Sequence, residues 1–310
     1  MSILFYCTFK NKDDWLKTIR KKFNKEKVYT LNQKPDFSKI KYAIIWNLPD
    51  KILKKLNNLK IIFSLGAGVD HIINLPSYKK TPILRIKDPK MAERMSNHVH
   101  SQILSYQLKL LLFHQAQNKK KWLGDQYSKH NSDITIGIMG FGYLGKSVGI
   151  YLKKLNYNVI GLKRDSKNIN SKIPIYSHKD LDKFLCLSDI VISILPSTHD
   201  TINFINKKFL NKMKKKALLI NIGRGSCLDE KDLLNHLENN KEFFASLDVF
   251  KKEPLPKNNK IWGHKNVTVT PHVAAITDIN SSIKLMLERY NYYKKKNNKI
   301  KSDVNLNKGY

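Results

Sequence analysis

The stretch ITIGIMGFGYLGKSV, residues 134–148, decides how this chain folds. Its apolar first half predicts a buried strand, its glycines predict a tight turn, and its second half has the spacing of a helix. Gly140 permits the turn, Gly142 lets the backbone approach a pyrophosphate, and Gly145 lets the helix pack against the strand. The N–H groups and the dipole of the helix N-terminus would face the anion. The stretch therefore predicts a dinucleotide-phosphate site.

Two other interpretations of this stretch are open at this point. A glycine turn between a strand and a helix also occurs without any ligand. Residues 140–147 further match the phosphate-binding loop G-x-x-x-x-G-K-S, in which Lys146 and Ser147 would hold a nucleoside triphosphate and Mg²⁺. The run FFASLD, which ends at Asp248, would then supply the acidic strand for the Mg²⁺. The rest of the chain must discriminate between these sites.

Length and composition limit the class of protein. At 310 residues the chain is long for one core, so two domains are expected, and 41% hydrophobic residues suffice to build them. No segment approaches 18 apolar residues, so we expect no membrane span, and the N-terminal segment resembles a first strand more than a signal peptide. The three cysteines, Cys7, Cys186 and Cys227, fit neither a disulfide framework nor a metal cluster. These features predict a cytoplasmic protein without a bound metal.

The formal net charge of +32 suggests an anionic partner such as a nucleic acid. However, the chain has 51 Lys and only 6 Arg, and the lysines are spread among Asn and Ile residues, as in proteins from AT-rich genomes. The lysine clusters lack the interleaved aromatic residues that stack on bases. Most of the charge is therefore interpreted as solvated surface. Each retained arginine, in contrast, marks a place where a planar guanidinium is needed.

Strand and helix patterns alternate along the whole chain, which predicts an α/β fold with mainly parallel sheets. In the first hundred residues we expect strands from Ile3, at 42–47 and at 61–65, and a helix at 14–23. A long helical pattern without proline or glycine covers 91–117, and a polar loop covers 118–133. After residue 148, strands are expected at 159–162, 190–195, 217–222, 243–249 and 267–270. Helices are expected at 230–240, with Asp229 as N-cap, and at 279–293.

Three polar residues with catalytic chemistry follow the ends of predicted strands. Arg224 lies between two glycines and could bind a carboxylate bidentately. Glu253 precedes a proline on a short loop, and His272 follows Thr270 and Pro271. Each of them alone could be an ordinary surface or packing residue. Because strand carboxyl ends meet at one edge of a parallel sheet, together they predict a proton-transfer site in which a carboxylate orients an imidazole.

The motifs resemble those of the D-isomer-specific 2-hydroxyacid dehydrogenases. GFGYLG (140–145), LPSTHDT (195–201), NIGRG (221–225), LDVFKKEPLP (247–256) and TPHVAA (270–275) occur in the order and spacing of that family. IIWNLPD (44–50), SLGAGVDHI (64–72), RIKDPKMAERMSNHV (85–99), the region of Trp122 and the terminal SDVNLNKGY make the glyoxylate/hydroxypyruvate reductase A type the nearest resemblance. The resemblance covers essentially the whole chain.

The resemblance implies a fold of two domains with a cleft between them. A flavodoxin-like substrate domain would contain residues 1–103 and 277–310, and a dinucleotide-binding domain would contain residues 104–276. The activity implied is the reduction of small 2-keto acids, glyoxylate to glycolate and hydroxypyruvate to D-glycerate, in a cytoplasmic homodimer. Reductases of larger 2-keto acids, and nucleic-acid-associated or corepressor-like proteins that use the same fold, are the alternatives.

Residue roles are implied by the same resemblance. Arg224 would bind the substrate carboxylate and carbonyl, His272 would give a proton to the carbonyl oxygen, and Glu253 would support His272. Trp46 and the backbone of Ala67, Gly68 and Val69 would complete the substrate site. The cofactor would lie against Gly140, Gly142, Tyr143, Leu144, Gly145, Leu195, Pro196, Thr201, Ile222, Gly223 and Asp248, the last at the nicotinamide carboxamide.

One position departs from the NAD-type pattern. That pattern has an acid at the end of the second strand, where it binds the adenosine ribose. Here Lys163 takes the place of the acid, Arg164 follows it, and Asp165 comes later. Since Lys and Arg attract a 2′-phosphate that an acid would repel, the sequence predicts NADPH as the preferred cofactor, with NADH possible. The alternative is that both are solvated surface residues.

Overall fold

A computed structural model describes residues 2–164, 172–296, 300–306 and 309. The chain divides into two compact units, Met1–Met91 with Thr277–Tyr310, and Ala92–Ile276. The sequence suggested a first division after residue 103, whereas the division lies after Met91. The reason is that Val99 and Ile103 pack into the hydrophobic core of the second unit.

Twelve strands and ten α-helices are formed by the described residues. The strands are β1 (Ser2–Tyr6), β2 (Lys27–Tyr29), β3 (Ile40–Ile45), β4 (Ile61–Ser64), β5 (Ile83–Leu84), β6 (Thr135–Met139), β7 (Asn158–Lys163), β8 (Ile175–Ser177), β9 (Ile190–Ser193), β10 (Leu218–Asn221), β11 (Phe244–Leu247) and β12 (Val267–Val269). The helices are α1 (Lys12–Lys22), α2 (Asp50–Leu53), α3 (Asp70–Ile73), α4 (Pro89–Gln107), α5 (Leu110–Asn118), α6 (Tyr143–Lys154), α7 (Leu181–Leu187), α8 (Lys207–Leu210), α9 (Glu230–Asn239) and α10 (Ile279–Lys296).

The first unit contains a five-stranded parallel sheet in the order β2-β1-β3-β4-β5. This is the 2-1-3-4-5 order of flavodoxin-like proteins, in which consecutive strands are joined by right-handed crossovers. The strands are almost continuously apolar because both faces are covered, and β4 is buried at every position. The predicted flavodoxin-like architecture is confirmed for this unit.

The second unit contains a seven-stranded parallel sheet in the order β12-β11-β10-β9-β6-β7-β8. Counted from β6, this is the 3-2-1-4-5-6 order of dinucleotide-binding sheets with one further strand. The order reverses between β6 and β9, and ligands bind at such switch points, outside the carboxyl ends of the strands. The stretch 134–148 therefore forms β6, one of the two strands at the switch point, and the turn that follows it.

Alternate side chains of the second sheet enter two hydrophobic cores. Ile136 and Ile138 of β6 pack with Val148 and Leu152 of α6 on one face. Met139 packs on the other face with Val191, Phe184 and the helices α8 and α9. A strand buried on both sides carries few polar residues, which explains why buried strands of this unit such as β9 and β10 can be predicted from sequence.

The helix expected over 91–117 is broken, so that expectation was wrong. Helix α4 ends at Gln107, Lys109 has a left-handed backbone with φ of 57°, and α5 begins at Leu110. A lysine gives no local signal for positive φ, since Gly and Asn are the residues that favour it. The expectation also missed the short strands β2, β5 and β8. No helix among the described residues is long and apolar enough to cross a bilayer.

Candidate active site

Glycine turns pack on one another along the carboxyl edge of the second sheet. Gly140 has φ of 85°, and a Cβ on it would lie 2.6 Å from the carbonyl oxygen of Ile194. A Cβ on Gly223 would lie 2.6 Å from the backbone nitrogen of Leu195. The turns after β6, β9 and β10 are thus in direct backbone contact. The structure brings together the predicted cofactor residues on these three turns.

The start of α6 has the features of a phosphate site. Gly142 is the N-cap, and among the described residues no side chain caps this end of the helix. A Cβ on Gly142 would have no described heavy atom within 4 Å, whereas a Cβ on Gly145 would lie 2.4 Å from the carbonyl oxygen of Gly140. Gly145 is therefore needed for packing, and Gly142 borders open space at the N-terminus of the helix. These features fit a dinucleotide phosphate.

The loop after β9 is held by its own hydroxyl groups. Thr201 Oγ1 donates to the carbonyl oxygen of Pro196 at 2.6 Å and accepts from the amide of Thr198 at 2.8 Å. The side chain of Tyr143, on the first turn of α6, is exposed. Leu195, Pro196 and Thr201 therefore lie on one ordered loop beside the glycine turn.

Lys163 is the last residue of β7, and Arg164 follows it. Arg164 forms an ion pair with Asp200, which belongs to the loop after β9. Asp165 lies outside the described residues. The two cationic residues thus stand at the end of the second strand of the nucleotide-type sheet, and one of them has an acidic partner that sequence reasoning missed.

Arg224 is half-buried on the turn after β10. Arg224 Nη1 donates to the carbonyl oxygen of Gly223 at 2.9 Å. Asn221 Nδ2 donates to the carbonyl oxygen of Arg224 at 3.3 Å. A Cβ on Gly225 would lie 1.9 Å from the carbonyl carbon of Phe250, so this turn packs directly on the turn after β11. The backbone on both sides of Arg224 is therefore fixed by close contacts.

Glu253 and His272 are joined by a hydrogen bond. His272 Nδ1 donates to Glu253 Oε2 at 2.7 Å, and the amide of Phe250 donates to Glu253 Oε1 at 2.9 Å. Burial raises the pKa of the Glu253 carboxyl, but these hydrogen bonds and the positive charge of the nearby Arg224 outweigh it and hold that pKa below its ordinary value. An ionised carboxylate that binds Nδ1 leaves Nε2 of the imidazole for proton transfer.

Asp248 is 1% exposed, and its carboxylate faces the loop that carries His272. Oδ1 accepts from Thr270 Oγ1 at 2.6 Å and from the amide of Val273 at 2.9 Å, and Oδ2 accepts from the amide of Ala274 at 2.9 Å. Burial lowers the pKa of the His98 imidazole on α4, although the negative charge of Asp248 acts in the opposite direction. Contact of Asp248 with a carboxamide stays a prediction.

The predicted substrate residues of the first unit lie together. Trp46 follows β3, and the turn that contains Ala67, Gly68 and Val69 joins β4 to α3. A Cβ on Gly66 would lie 2.4 Å from Trp46 Cζ3, so the indole ring packs directly on this turn. Ser64 Oγ donates to the carbonyl oxygen of Gly68 at 3.1 Å and helps to fix the turn.

Sequence reasoning did not single out three residues that contact the candidate site. Asp200 and Thr270 were inside quoted motifs, yet their contacts with Arg164 and Asp248 join residues of different turns. Asn221 ends the buried strand β10 and is itself fully buried. An amide at the end of an apolar run was the available signal for a contact there, because a buried amide requires a polar partner.

The geometry does not favour the nucleoside-triphosphate interpretation. Lys146 and Ser147 lie within α6, where Ser147 Oγ donates to the carbonyl oxygen of Tyr143 at 2.9 Å. Asp248, the Mg²⁺ ligand in that interpretation, is held by the His272 loop. Within the described ranges, no group of three or more His, Cys, Asp or Glu side chains is arranged to hold a metal ion.

Comparison with known proteins gives consistent matches. Residues 101–274 match the model of the family "D-isomer specific 2-hydroxyacid dehydrogenase, NAD binding domain". The glyoxylate/hydroxypyruvate reductase A of Serratia proteamaculans is 35% identical over 284 residues, which are 89% of this chain and 90% of that protein.

Two solved structures share the fold over 100% of this chain and 99% of their own. One is an NADPH-dependent glyoxylate/hydroxypyruvate reductase from Sinorhizobium meliloti in complex with NADP and sulfate, with a TM-score of 0.92 and 30% identity. The other is a D-isomer specific 2-hydroxyacid dehydrogenase from Xanthobacter autotrophicus in complex with NADPH and MES, with a TM-score of 0.92 and 27% identity.

Proposed function

We propose that this chain, which belongs to the D-isomer specific 2-hydroxyacid dehydrogenase family, reduces glyoxylate to glycolate and hydroxypyruvate to D-glycerate. The observation that carries the proposal is the hydrogen bond of 2.7 Å between His272 and Glu253, with Arg224 close enough to lower the pKa of Glu253. The relatives from Serratia and Sinorhizobium are both named glyoxylate/hydroxypyruvate reductase, which supports these two substrates.

Each residue of this trio has one role in the proposal. Arg224 binds the substrate carboxylate and carbonyl oxygen through its guanidinium fork. His272 Nε2 donates a proton to the carbonyl oxygen, which becomes the hydroxyl group, and solvent returns a proton to the imidazole. Glu253 keeps the imidazole in the tautomer and orientation for this step. A bound nicotinamide supplies the hydride that the carbonyl carbon accepts.

The substrate panel tests this proposal. Initial rates are measured with glyoxylate, hydroxypyruvate and longer 2-keto acids, each with NADPH and with NADH. Dihydroxyacetone is the control, because it has the hydroxyketone of hydroxypyruvate without the carboxylate that Arg224 would bind. We expect the highest kcat/KM for glyoxylate or hydroxypyruvate and no reduction of dihydroxyacetone. Higher kcat/KM for longer 2-keto acids would support the alternative substrate class, and no turnover of any 2-keto acid would contradict the proposal. The roles of Trp46 and of the Ala67–Val69 turn stay predictions.

We also propose that NADPH is preferred to NADH. Lys163 and Arg164 place two cationic side chains after the second strand of the nucleotide-type sheet, where a 2′-phosphate would be attracted. The solved structure of the Sinorhizobium relative contains NADP, and that of the Xanthobacter relative contains NADPH. The start of α6, with room beside Gly142, would hold the pyrophosphate.

Charge reversal tests the cofactor proposal. The double variant Lys163→Asp with Arg164→Asp is compared with Lys207→Asp with Lys208→Asp, which changes the net charge equally on the exposed side of α8. We expect the first pair to lower the ratio of kcat/KM for NADPH over NADH by about 10²-fold, or roughly 3 kcal/mol, and the second pair to leave it unchanged. An equal effect of both pairs would indicate general charge attraction and contradict a specific role.

The protein is proposed to form a homodimer through the segment 108–127. Large apolar side chains are exposed along this segment, including Leu110 at 49%, Tyr127 at 73% and Trp122 at 97%. Beside Trp122 is a groove of about 700 Å³, lined by residues of α5 and of the following loop. Large apolar side chains exposed close together along one segment are typical of a protein interface.

A cytoplasmic location is part of the proposal. It is supported by the cysteines, since Cys7, Cys186 and Cys227 are all free thiols. A reducing compartment is where free thiols persist.

A further inference from the structure

The backbone of His272 has an unfavourable conformation. Its φ is 55°, in the left-handed region that a residue with a Cβ enters at a cost of about 1–2 kcal/mol. Such conformations persist where the surrounding structure holds them, and they occur often at active sites. The groups that hold this backbone therefore determine where the imidazole of His272 lies.

The Asp248 side chain and backbone contact the loop on both sides of His272. The amide of His272 donates to the carbonyl oxygen of Asp248 at 2.8 Å. Before His272, Thr270 Oγ1 donates to Asp248 Oδ1 at 2.6 Å, and after it the amides of Val273 and Ala274 donate to the same carboxylate at 2.9 Å each. Hydrogen bonds to a buried carboxylate are stronger than those between neutral groups.

Two carboxylates thus fix different parts of the same histidine. Asp248 fixes the loop backbone, and Glu253 binds Nδ1 of the imidazole at 2.7 Å. The hydrogen bond to Glu253 forms when the loop presents the ring at the correct place. Of the four donors to Asp248, Thr270 Oγ1 belongs to a side chain and can be removed without a change in Asp248, Glu253 or His272.

We propose that Thr270 and Asp248 are positioning residues, which clamp the 270–274 loop so that His272 meets Glu253 in the geometry for proton transfer. The proposal rests on the proposed function, in which His272 is the proton donor. A displacement of about 1 Å at a reacting group lowers the rate by as much as about 10²-fold. Loss of the clamp therefore lowers kcat, while cofactor binding at the glycine turn is retained.

The experiment compares Thr270→Val with Thr270→Ser in the full chain. Valine has nearly the shape of threonine without the hydroxyl group, and serine restores that group. We expect Thr270→Val to lower kcat with NADPH and glyoxylate by about 10–100-fold and to change the Kd of NADPH by less than about twofold. Thr270→Ser keeps kcat within about threefold of the wild type. Thr270→Ala gives the same comparison if the valine variant does not fold.

Thr268→Val is the matched control. Thr268 lies on β12, two residues before Thr270, and its Oγ1 donates to Gln102 Oε1 at 3.1 Å and not to Asp248. We expect this variant to keep the wild-type kcat. Wild-type kcat in Thr270→Val, or an equal loss in Thr270→Val and Thr270→Ser, would contradict the clamp and leave the proposed function standing. A wild-type protein that reduces no 2-keto acid would contradict the proposed function and the clamp together.

Discussion

The Glu253 side chain is 36% exposed and ionised, because hydrogen bonds from His272 and from the Phe250 amide outweigh the cost of its partial burial. Its pKa lies below the ordinary range, so the carboxylate is charged at every pH at which a reductase would be assayed. The charged carboxylate binds Nδ1 of the imidazole at 2.7 Å and leaves Nε2 as the nitrogen that can donate the proton.

The variant Glu253→Gln retains the shape of the side chain and removes that charge. We expect kcat/KM for glyoxylate to fall by about 10²-fold at neutral pH, which is the ordinary contribution of general acid catalysis. The difference from the wild type should shrink at acidic pH, once Glu253 of the wild type takes up a proton, which its lowered pKa delays to below the ordinary carboxyl value. Rates are measured across the pH range with NADPH.

Glu242→Gln is the control for this pH series. Glu242 is exposed and forms an ion pair with Lys216 at 2.7 Å, away from His272. It should have the wild-type pH profile. A kcat/KM of Glu253→Gln close to that of the wild type at neutral pH would contradict the role of Glu253.

At the residue scale, the sequence predicted positions better than partners. Arg224 and His272 could be placed because each lies three residues after the end of a strand, and strand ends are readable from apolar runs. The pairing of Arg164 with Asp200 could not be predicted, because the two residues belong to different turns and neither has a local signal for the other. The contact of Thr270 with Asp248 was missed for the same reason.

At the scale of elements, the junction of β6 and α6 separates a glycine that the fold needs from one that the proposed ligand needs. Gly142 has φ of −83° and ψ of −153°, which alanine adopts without strain, and no described atom lies where its Cβ would be. Gly145 has no such room.

We expect Gly142→Ala to change the free energy of unfolding by less than about 0.5 kcal/mol and to raise the Kd of NADPH about tenfold or more. The added methyl group would occupy the approach of the pyrophosphate to the backbone. Urea unfolding and a fluorescence titration with NADPH measure the two quantities.

Gly145→Ala is the paired variant. We expect it to destabilise the fold by about 1–3 kcal/mol, because its Cβ would lie 2.4 Å from a backbone oxygen. Wild-type affinity for NADPH in Gly142→Ala would contradict a phosphate site at this helix.

The same scale shows the limit of periodicity. Apolar spacing predicted the buried strands and the helix that Asp229 caps, where the Asp229 side chain accepts from the amides of Lys231 and Asp232. It missed the break at Lys109, because apolar residues continue in register on both sides of a residue with positive φ. Three-residue strands such as β2 and β8 are too short to show a period.

At the scale of the whole molecule, the parallel pairing of strands in both sheets follows from the alternation of strand and helix, and the α/β prediction is confirmed. The net charge of +32 was less informative. Surface lysines indicate that the protein is basic and do not identify a partner. The absence of nucleic-acid binding stays a prediction.

The exposed segment 108–127 bears on the assembly of the whole molecule, because a second copy of the chain could bury its apolar side chains. We expect the wild type to sediment with twice the mass of the 36.1 kDa chain. Trp122→Ser should weaken the dimer by about 30-fold or more, as loss of a buried aromatic anchor does. Analytical ultracentrifugation over a range of concentrations measures the dissociation constant.

Trp262→Ser is the control, since Trp262 is also exposed but lies outside the segment. It should leave the dimer unchanged. A monomeric wild type, or equal weakening by both substitutions, would contradict an interface at Trp122.

Arg224 tests the proposed chemistry most directly. The measurement is kcat/KM for glyoxylate with NADPH in the wild type and in Arg224→Ala. Arg20→Ala is the control, because it removes another of the six arginines, one that lies in the first unit. Since the charged hydrogen bonds that Arg224 would make are worth about 2–5 kcal/mol, we predict a loss of about 10³-fold in Arg224→Ala and wild-type kcat/KM in Arg20→Ala. Turnover by Arg224→Ala close to that of the wild type would contradict the assignment of Arg224 to the substrate carboxylate, and with it the proposed active site.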